Sequence, residues 1–156
     1  MKKISTRSSS PRHGTEQRAR VLYVEDDDEN WQVAQLRLEP DFEIVRAKDA
    51  LEACSLLKTR GSDFIVILMD IELRGSDLNG IELTELFRGK RLNKDLPDYA
   101  RNLPTFTAPI IFVTAHNARY TDVELMLFGA DRVIPKPVNF ESLTFALQSI
   151  QYTRKR

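Results

Sequence analysis

Five short apolar runs divide this chain, and none of them shows polar alternation. They are Val21-Leu22-Tyr23-Val24, Phe42 to Val45, Phe64 to Met69, Ile110 to Val113 and Val133-Ile134. A strand with one solvated face alternates polar and apolar residues. Val- and Ile-rich runs that do not alternate suit strands covered on both faces. Stretches of helical length lie between and after them, at 28–39, 49–60, 79–90, 117–128 and 139–152. Five strands alternating with five helices predict an α/β fold, a doubly wound parallel sheet with helices on both faces.

Local punctuation agrees. Asp49 and Asn79 stand where helix N-caps belong, and Gly61 and Gly129 where C-terminal glycines belong. In the last helix Phe140, Leu143, Leu147 and Ile150 recur at spacings of three and four, one stripe toward the sheet. Lys90 to Pro109 is the exception. It holds Pro97, Pro104 and Pro109 and no clear period, so it reads as a long loop with at most one helical turn.

The formal net charge of zero conceals an uneven distribution. Residues 1–20 carry six basic groups and one acid, and Arg154, Lys155 and Arg156 close the chain. The intervening 21–153 hold 14 basic and 22 acidic residues, a net of −8. We therefore expect a basic arm or leader over 1–20, one folded domain over 21–153 and a basic tail over 154–156. An acidic body argues against a nucleic-acid-binding core and suits a protein that handles a divalent cation. The arm lacks interleaved aromatics, so it is expected to attract polyanions only weakly and without sequence selection. The single cysteine, Cys54, excludes a disulfide framework and a cysteine-rich zinc site and reads as core. No apolar run approaches ~18 residues, and the basic start has no apolar segment after it, so neither a membrane span nor a secretory signal is expected. A reducing, cytoplasmic setting follows.

In an open parallel sheet, ligands bind beyond the carboxyl ends of the strands. The first strand ends in Glu25-Asp26, the third in Asp70, the fourth in Thr114-Ala115 and the fifth in Lys136-Pro137. Three carboxylates, a hydroxyl and an ammonium thus converge on one rim. Crowded carboxylates repel, and a cation resolves the conflict. Hard oxygen ligands that leave room for water and a phosphoryl group suit Mg²⁺. A carboxylate beside the ion is a nucleophile able to take a phosphoryl group, with Thr114 and Lys136 to meet its oxygens. Asp27, Asp28 and Glu29 read more simply, as acids favoured at a helix N-terminus. Trp31 reads as partial packing and His13 as part of the arm.

These residues, with Ile-Leu-Met-Asp70-Ile-Glu-Leu, Ile-Phe-Val-Thr114-Ala115, Gly129-Ala130-Asp131 and Pro-Lys136-Pro137, resemble the receiver domain of two-component response regulators over about 21–152. The resemblance implies strand order 2-1-3-4-5. It implies that Asp70 accepts phosphate from a histidine kinase or a histidine phosphotransfer protein. It implies Mg²⁺ held by Asp26, Asp70 and the backbone carbonyl of Glu72, with Glu25 acting through water. Thr114 and Lys136 would contact the phosphoryl group, and Lys136-Pro137 would be cis. His116, near the path of an attacking water, would tune phosphate lifetime.

Three features depart from that family. Val133 stands three residues before Lys136, where an aromatic is usual. The loop after Asp70 looks about two residues long for the family, and the 90–109 segment is longer by roughly a dozen. Nothing resembling a DNA-binding output domain follows the last helix, so signalling is expected to run through an as yet unknown downstream protein. The competing readings are a phosphate-independent binding module and an aspartyl-phosphate phosphohydrolase. The second usually has an aspartate two residues after the nucleophile, where this chain has Glu72. No Gly-rich phosphate loop follows the first strand, which disfavours nucleotide binding.

Overall fold

The computed structural model describes residues 17–115 and 119–156. The expectations for His116, His13 and arm residues 1–16 lie outside the described residues. The elements run β1 (Arg20–Val24), α1 (Asp28–Leu38), β2 (Glu43–Ala47), α2 (Ala50–Arg60), β3 (Phe64–Met69), α3 (Gly80–Phe87), β4 (Ile110–Ala115), α4 (Asp122–Leu127), β5 (Arg132–Lys136) and α5 (Phe140–Arg154). All pairings are parallel and the strand order is β2-β1-β3-β4-β5, as expected.

The missing alternation has the expected cause. Successive side chains of a strand leave on opposite faces, and here each face has its own core. Leu22, Val24, Ile67, Met69 and Phe112 pack with Cys54, Leu57, Leu83 and Phe87 from α2 and α3. Val21, Tyr23, Val66, Leu68, Ile111 and Val113 pack with Ala34 and Leu38 of α1 and Leu143 and Leu147 of α5. β3, the middle strand, is buried at every position.

Several boundaries differ from the sequence reading. α3 stops at Phe87 rather than Lys90, because Gly89 turns left-handed (φ 78°). The Lys90 N–H then donates to Glu85 O and the Gly89 N–H to Leu86 O, the paired bonds of a glycine-terminated helix. Gly61, expected in that role, stays right-handed (φ −53°) and opens a short 3-10 turn, Gly61–Asp63. α4 begins at Asp122, where Thr121 and Glu124 form a reciprocal capping box that sets the start. Arg20 opens β1 and pairs with Glu43 (2.9 Å) and Asp63 (3.3 Å) instead of belonging to the arm. Arg154 closes α5 and donates to Phe64 O, rather than beginning a tail.

The 90–109 segment contains one 3-10 turn, Asp98–Ala100, and packs on α2. Lys58 donates to Tyr99 O (2.8 Å), and the Tyr99 hydroxyl meets Asp77 Oδ2 (3.1 Å). Its far end is held by Arg88. That guanidinium, at the end of α3, donates to Phe106 O (2.7 Å), Ala108 O (2.8 Å), Gly129 O (2.9 Å) and Asp131 Oδ2 (2.8 Å). Asp131 also accepts the Ile110 N–H (2.9 Å), so the Gly129-Ala130-Asp131 motif is a structural joint. Arg88→Met keeps the stem but takes the donor from three carbonyls, while the exposed Asp131 carboxylate keeps the Ile110 N–H. We expect a loss of about 3 kcal/mol in urea unfolding; a change under about 0.5 kcal/mol would mean that water replaces the guanidinium.

Candidate phosphoryl-acceptor site

Parallel strands bring their carboxyl ends to one rim, and Glu25, Asp26, Asp70 and Lys136 meet there. The Asp70 N–H donates to Val24 O (3.0 Å) and the Glu25 N–H to Ala47 O (3.0 Å), so the sheet ladder itself sets both acids. One carboxylate oxygen from each of Glu25, Asp26 and Asp70 lies within 4.8 Å of the others. Lys136 Nζ donates to Glu25 Oε2 and Asp70 Oδ2, both at 3.0 Å. The Lys136–Pro137 bond is cis.

The three acids are held differently. Glu25 is fully buried and accepts from Asn30 Nδ2 (3.2 Å) and the Asp27 N–H (3.3 Å) besides Lys136. Burial and the adjoining Glu25 carboxylate push the Tyr23 phenol up. Asp26 Oδ2 accepts the Arg74 N–H (2.9 Å) from the loop after β3. Asp70 is 6% exposed, and its Oδ1 accepts the Glu72 N–H (3.3 Å). Asp27 caps α1 through the Asn30 N–H (2.8 Å), and Asp28 pairs with Arg46 (2.8 Å). Asp27 keeps the helix-start role read for it, whereas Asp28, also in the first turn, adds an ion pair that was not read.

Thr114 sits on the same rim at the end of β4, but its hydroxyl donates to Ala115 O (3.3 Å) and does not join the Lys136–Asp70 cluster. It lines a cavity of about 230 Å³ with Tyr120, Leu125 and Val133. Tyr120 meets the Phe128 ring edge-on at 5.7 Å.

Two positioning residues were not read from the sequence. Arg46 donates to Glu25 O (3.0 Å) and Asp26 O (3.1 Å), fixing the turn that presents the acids. Ending the second strand at Val45 hid it; β2 continues through Arg46 to Ala47. Gly80 opens α3 directly against the Asp70 peptide. A Cβ there would lie 1.9 Å from Asp70 O.

Burial and the nearby Glu25 charge raise the Asp70 carboxyl to about 6, despite the opposing pull of Lys136. Burial lowers Lys136, but the attraction of Asp70 and Glu25 prevails and holds it above its ordinary value. The fold therefore favours protonated Asp70. Its stabilising share is present below about pH 4 and is lost as pH rises through about 6, on the order of 2–3 kcal/mol. We expect wild type minus Asp70→Asn stability, in metal-free buffer, to fall across that window. A difference that stays flat from pH 4 to 7 would refute the shift.

A doubly wound sheet with a carboxylate cluster and a lysine at its carboxyl edge defines a receiver-type signalling domain. The family description "Response regulator receiver domain" matches residues 21–148. The chain belongs to that family. A CheY-like receiver domain protein from Methanospirillum hungatei is 26% identical, with a TM-score of 0.67 over 89% of this chain and 98% of that one. The receiver domain of the Francisella response regulator 1452 is 24% identical, with a TM-score of 0.68 over 88% and 99%. NtrX from Brucella abortus, solved with ADP, is 23% identical, with a TM-score of 0.67 over 89% of this chain and only 28% of its own. No curated protein matches the chain. Among the described residues, no helix is long and apolar enough to cross a membrane.

Proposed function

We propose that this receiver is a phosphoacceptor in a two-component phosphorelay, with Asp70 as the acceptor. The donor is a phosphohistidine on a histidine kinase or a histidine phosphotransfer protein. The observation that carries the reading is the Lys136 ammonium bridging two buried acids beside Asp26. An Asp70 carboxylate oxygen attacks phosphorus; the new O–P bond forms as the N–P bond breaks, and the imidazole leaves and takes up a proton. Lys136, already 3.0 Å from Asp70, neutralises phosphoryl oxygens. Thr114 serves the same group by giving up its bond to Ala115 O. The product is an acyl phosphate, and the protein assists only its own phosphorylation and dephosphorylation. It acts on a downstream protein, in the cytoplasm, without reading nucleic acid or a membrane.

The donor set fits Mg²⁺: hard carboxylate oxygens within 4.8 Å of one another. Asp26, Asp70 and the Glu72 carbonyl would hold the ion, with Glu25 acting through water. When bound, it supplies positive charge beside the phosphoryl oxygens.

The test is intact mass after exposure to acetyl phosphate with and without Mg²⁺. One added phosphoryl group, dependent on the ion, is expected; none under any condition would leave a phosphate-independent binding module. Stability reports on the ion separately. With a dissociation constant on the order of 1 mM, about 10 mM Mg²⁺ adds about 1.4 kcal/mol. Asp26→Asn keeps an acceptor for the Arg74 N–H and removes one repelling charge. The variant should be more stable than wild type without metal and respond far less to Mg²⁺. Equal Mg²⁺ shifts in paired denaturation curves would remove Asp26 from the ligand set.

A further inference from the structure

The opposite edge of the sheet, where the strands begin, carries a second concave surface. Two cavities, about 570 Å³ and 350 Å³, lie on either side of Arg154 and share Thr107 and Ala108 as a wall. That wall is the end of the long segment before β4. The larger cavity is of a size that takes small molecules. Its floor is apolar: Ile65, Ile111 and Ala146 are buried, and Ile150 is half-buried.

Its charges are one-sided. Arg154 Nη1 donates to Phe64 O (2.9 Å) and Nη2 to Ser62 O (3.4 Å). These neutral carbonyls orient the guanidinium without cancelling its charge, and they use only part of its donor set. Arg132, at the start of β5, lines the same cavity. Among the described residues neither arginine meets a carboxylate within ion-pair distance. The one acid on the rim, Asp131, is engaged by Arg88 and the Ile110 N–H. On a body whose net charge over residues 20–154 is −6, two uncompensated guanidinium groups beside an apolar floor form a surface with a specific complement.

We propose that this groove binds a small amphiphilic anion. A carboxylate or phosphate head would pair with Arg154 and Arg132, where the fork geometry of guanidinium suits both. An apolar body would cover Ile65, Ile111 and Ile150. The site uses no residue of the Asp70 rim and stands at the other end of the strands, so it is independent of the phosphoacceptor reading.

The experiment is titration of the ¹⁵N-labelled full chain with dodecanoate, dodecyl phosphate and dodecanol, followed by amide shifts. At least one anion should saturate below about 1 mM, with shifts centred on residues 107–108, 132 and 146–154. The tighter of the two identifies the head group. Dodecanol should bind at least about tenfold more weakly. Arg132→Gln, at an exposed position, should weaken the anion by about tenfold and leave dodecanol unchanged. Ser149→Leu, which fills the cavity from α5, should weaken all three. Arg132→Gln and Ser149→Leu must retain the wild-type shifts of the Asp70 rim, which separates loss of the site from loss of the fold. The proposal is overturned if neither anion saturates, if the shifts centre elsewhere, or if both variants bind as wild type does.

Discussion

Asp70→Asn is expected to abolish uptake of a phosphoryl group from acetyl phosphate while the domain stays folded. Asn has the shape of Asp, so it keeps an acceptor for the Glu72 N–H, 3.3 Å from Asp70 Oδ1. An amide cannot form an acyl phosphate, so the acceptor chemistry is lost outright rather than slowed. The substitution also removes one of three clustered acids. Against this, the ion pair with Lys136 is lost, but Lys136 retains Glu25 at 3.0 Å and is not stranded. Since burial and Glu25 already disfavour ionised Asp70, the variant should equal or exceed wild type in stability at pH 7 without metal. Intact mass and urea unfolding together decide the matter. Label persisting on the variant would move the acceptor elsewhere; a collapsed unfolding midpoint would make Asp70 a structural residue.

Gly80→Ala is expected to be the most damaging single methyl in the domain, and propensity predicts the opposite sign. Replacing a helical glycine with alanine ordinarily gains up to ~1 kcal/mol. Here the added carbon would stand 1.9 Å from Asp70 O, 2.8 Å from Asp70 C and 2.9 Å from Ile71 Cα. All three are backbone atoms, and none can swing aside as a side-chain tip would. The Gly80 N–H is moreover bonded to Ile71 O at 2.8 Å, and the Asn79–Glu82 capping box holds the first turn. Relief therefore requires shifting either α3 or the Asp70 peptide. We expect a loss of about 3 kcal/mol or more, at the upper end of overpacking penalties. Because the displaced peptide carries the proposed acceptor, labelling by acetyl phosphate should slow as well. A variant more stable than wild type would show that helix propensity outweighs the contact and that the close approach is not a constraint.

The long 90–109 segment links the two edges of the domain. Tyr99 reaches Asp77 in the loop after β3, while Thr107 and Ala108 wall the groove at the opposite edge. Lys94 ties the segment to Glu82 of α3 at 2.7 Å. A segment without helical or strand period is thus ordered by side-chain bonds to α2, α3 and the loop after β3, none of which leaves a local signature.

By itself the sequence determined the strand count, the sidedness of the sheet and the four residues that cluster at its rim. Apolar runs without alternation encode burial on two faces, and a residue ending a buried strand has only one edge to occupy. That argument needs no distances, and it reaches Glu25, Asp26, Asp70 and Lys136. Tertiary structure decided what depends on approach between distant segments. Arg46 matters because β2 lies beside β1, 21 residues away in the chain. Gly80 matters because α3 begins against the Asp70 carbonyl, and Arg88 because two separate segments, 106–108 and 129–131, point four acceptors at one guanidinium. Thr114 shows the difference most directly. Its strand-end position was legible, but its hydroxyl bonds its own neighbour's carbonyl. Position follows from strand pattern; which hydrogen bond a rotatable hydroxyl makes follows only from the atoms packed around it.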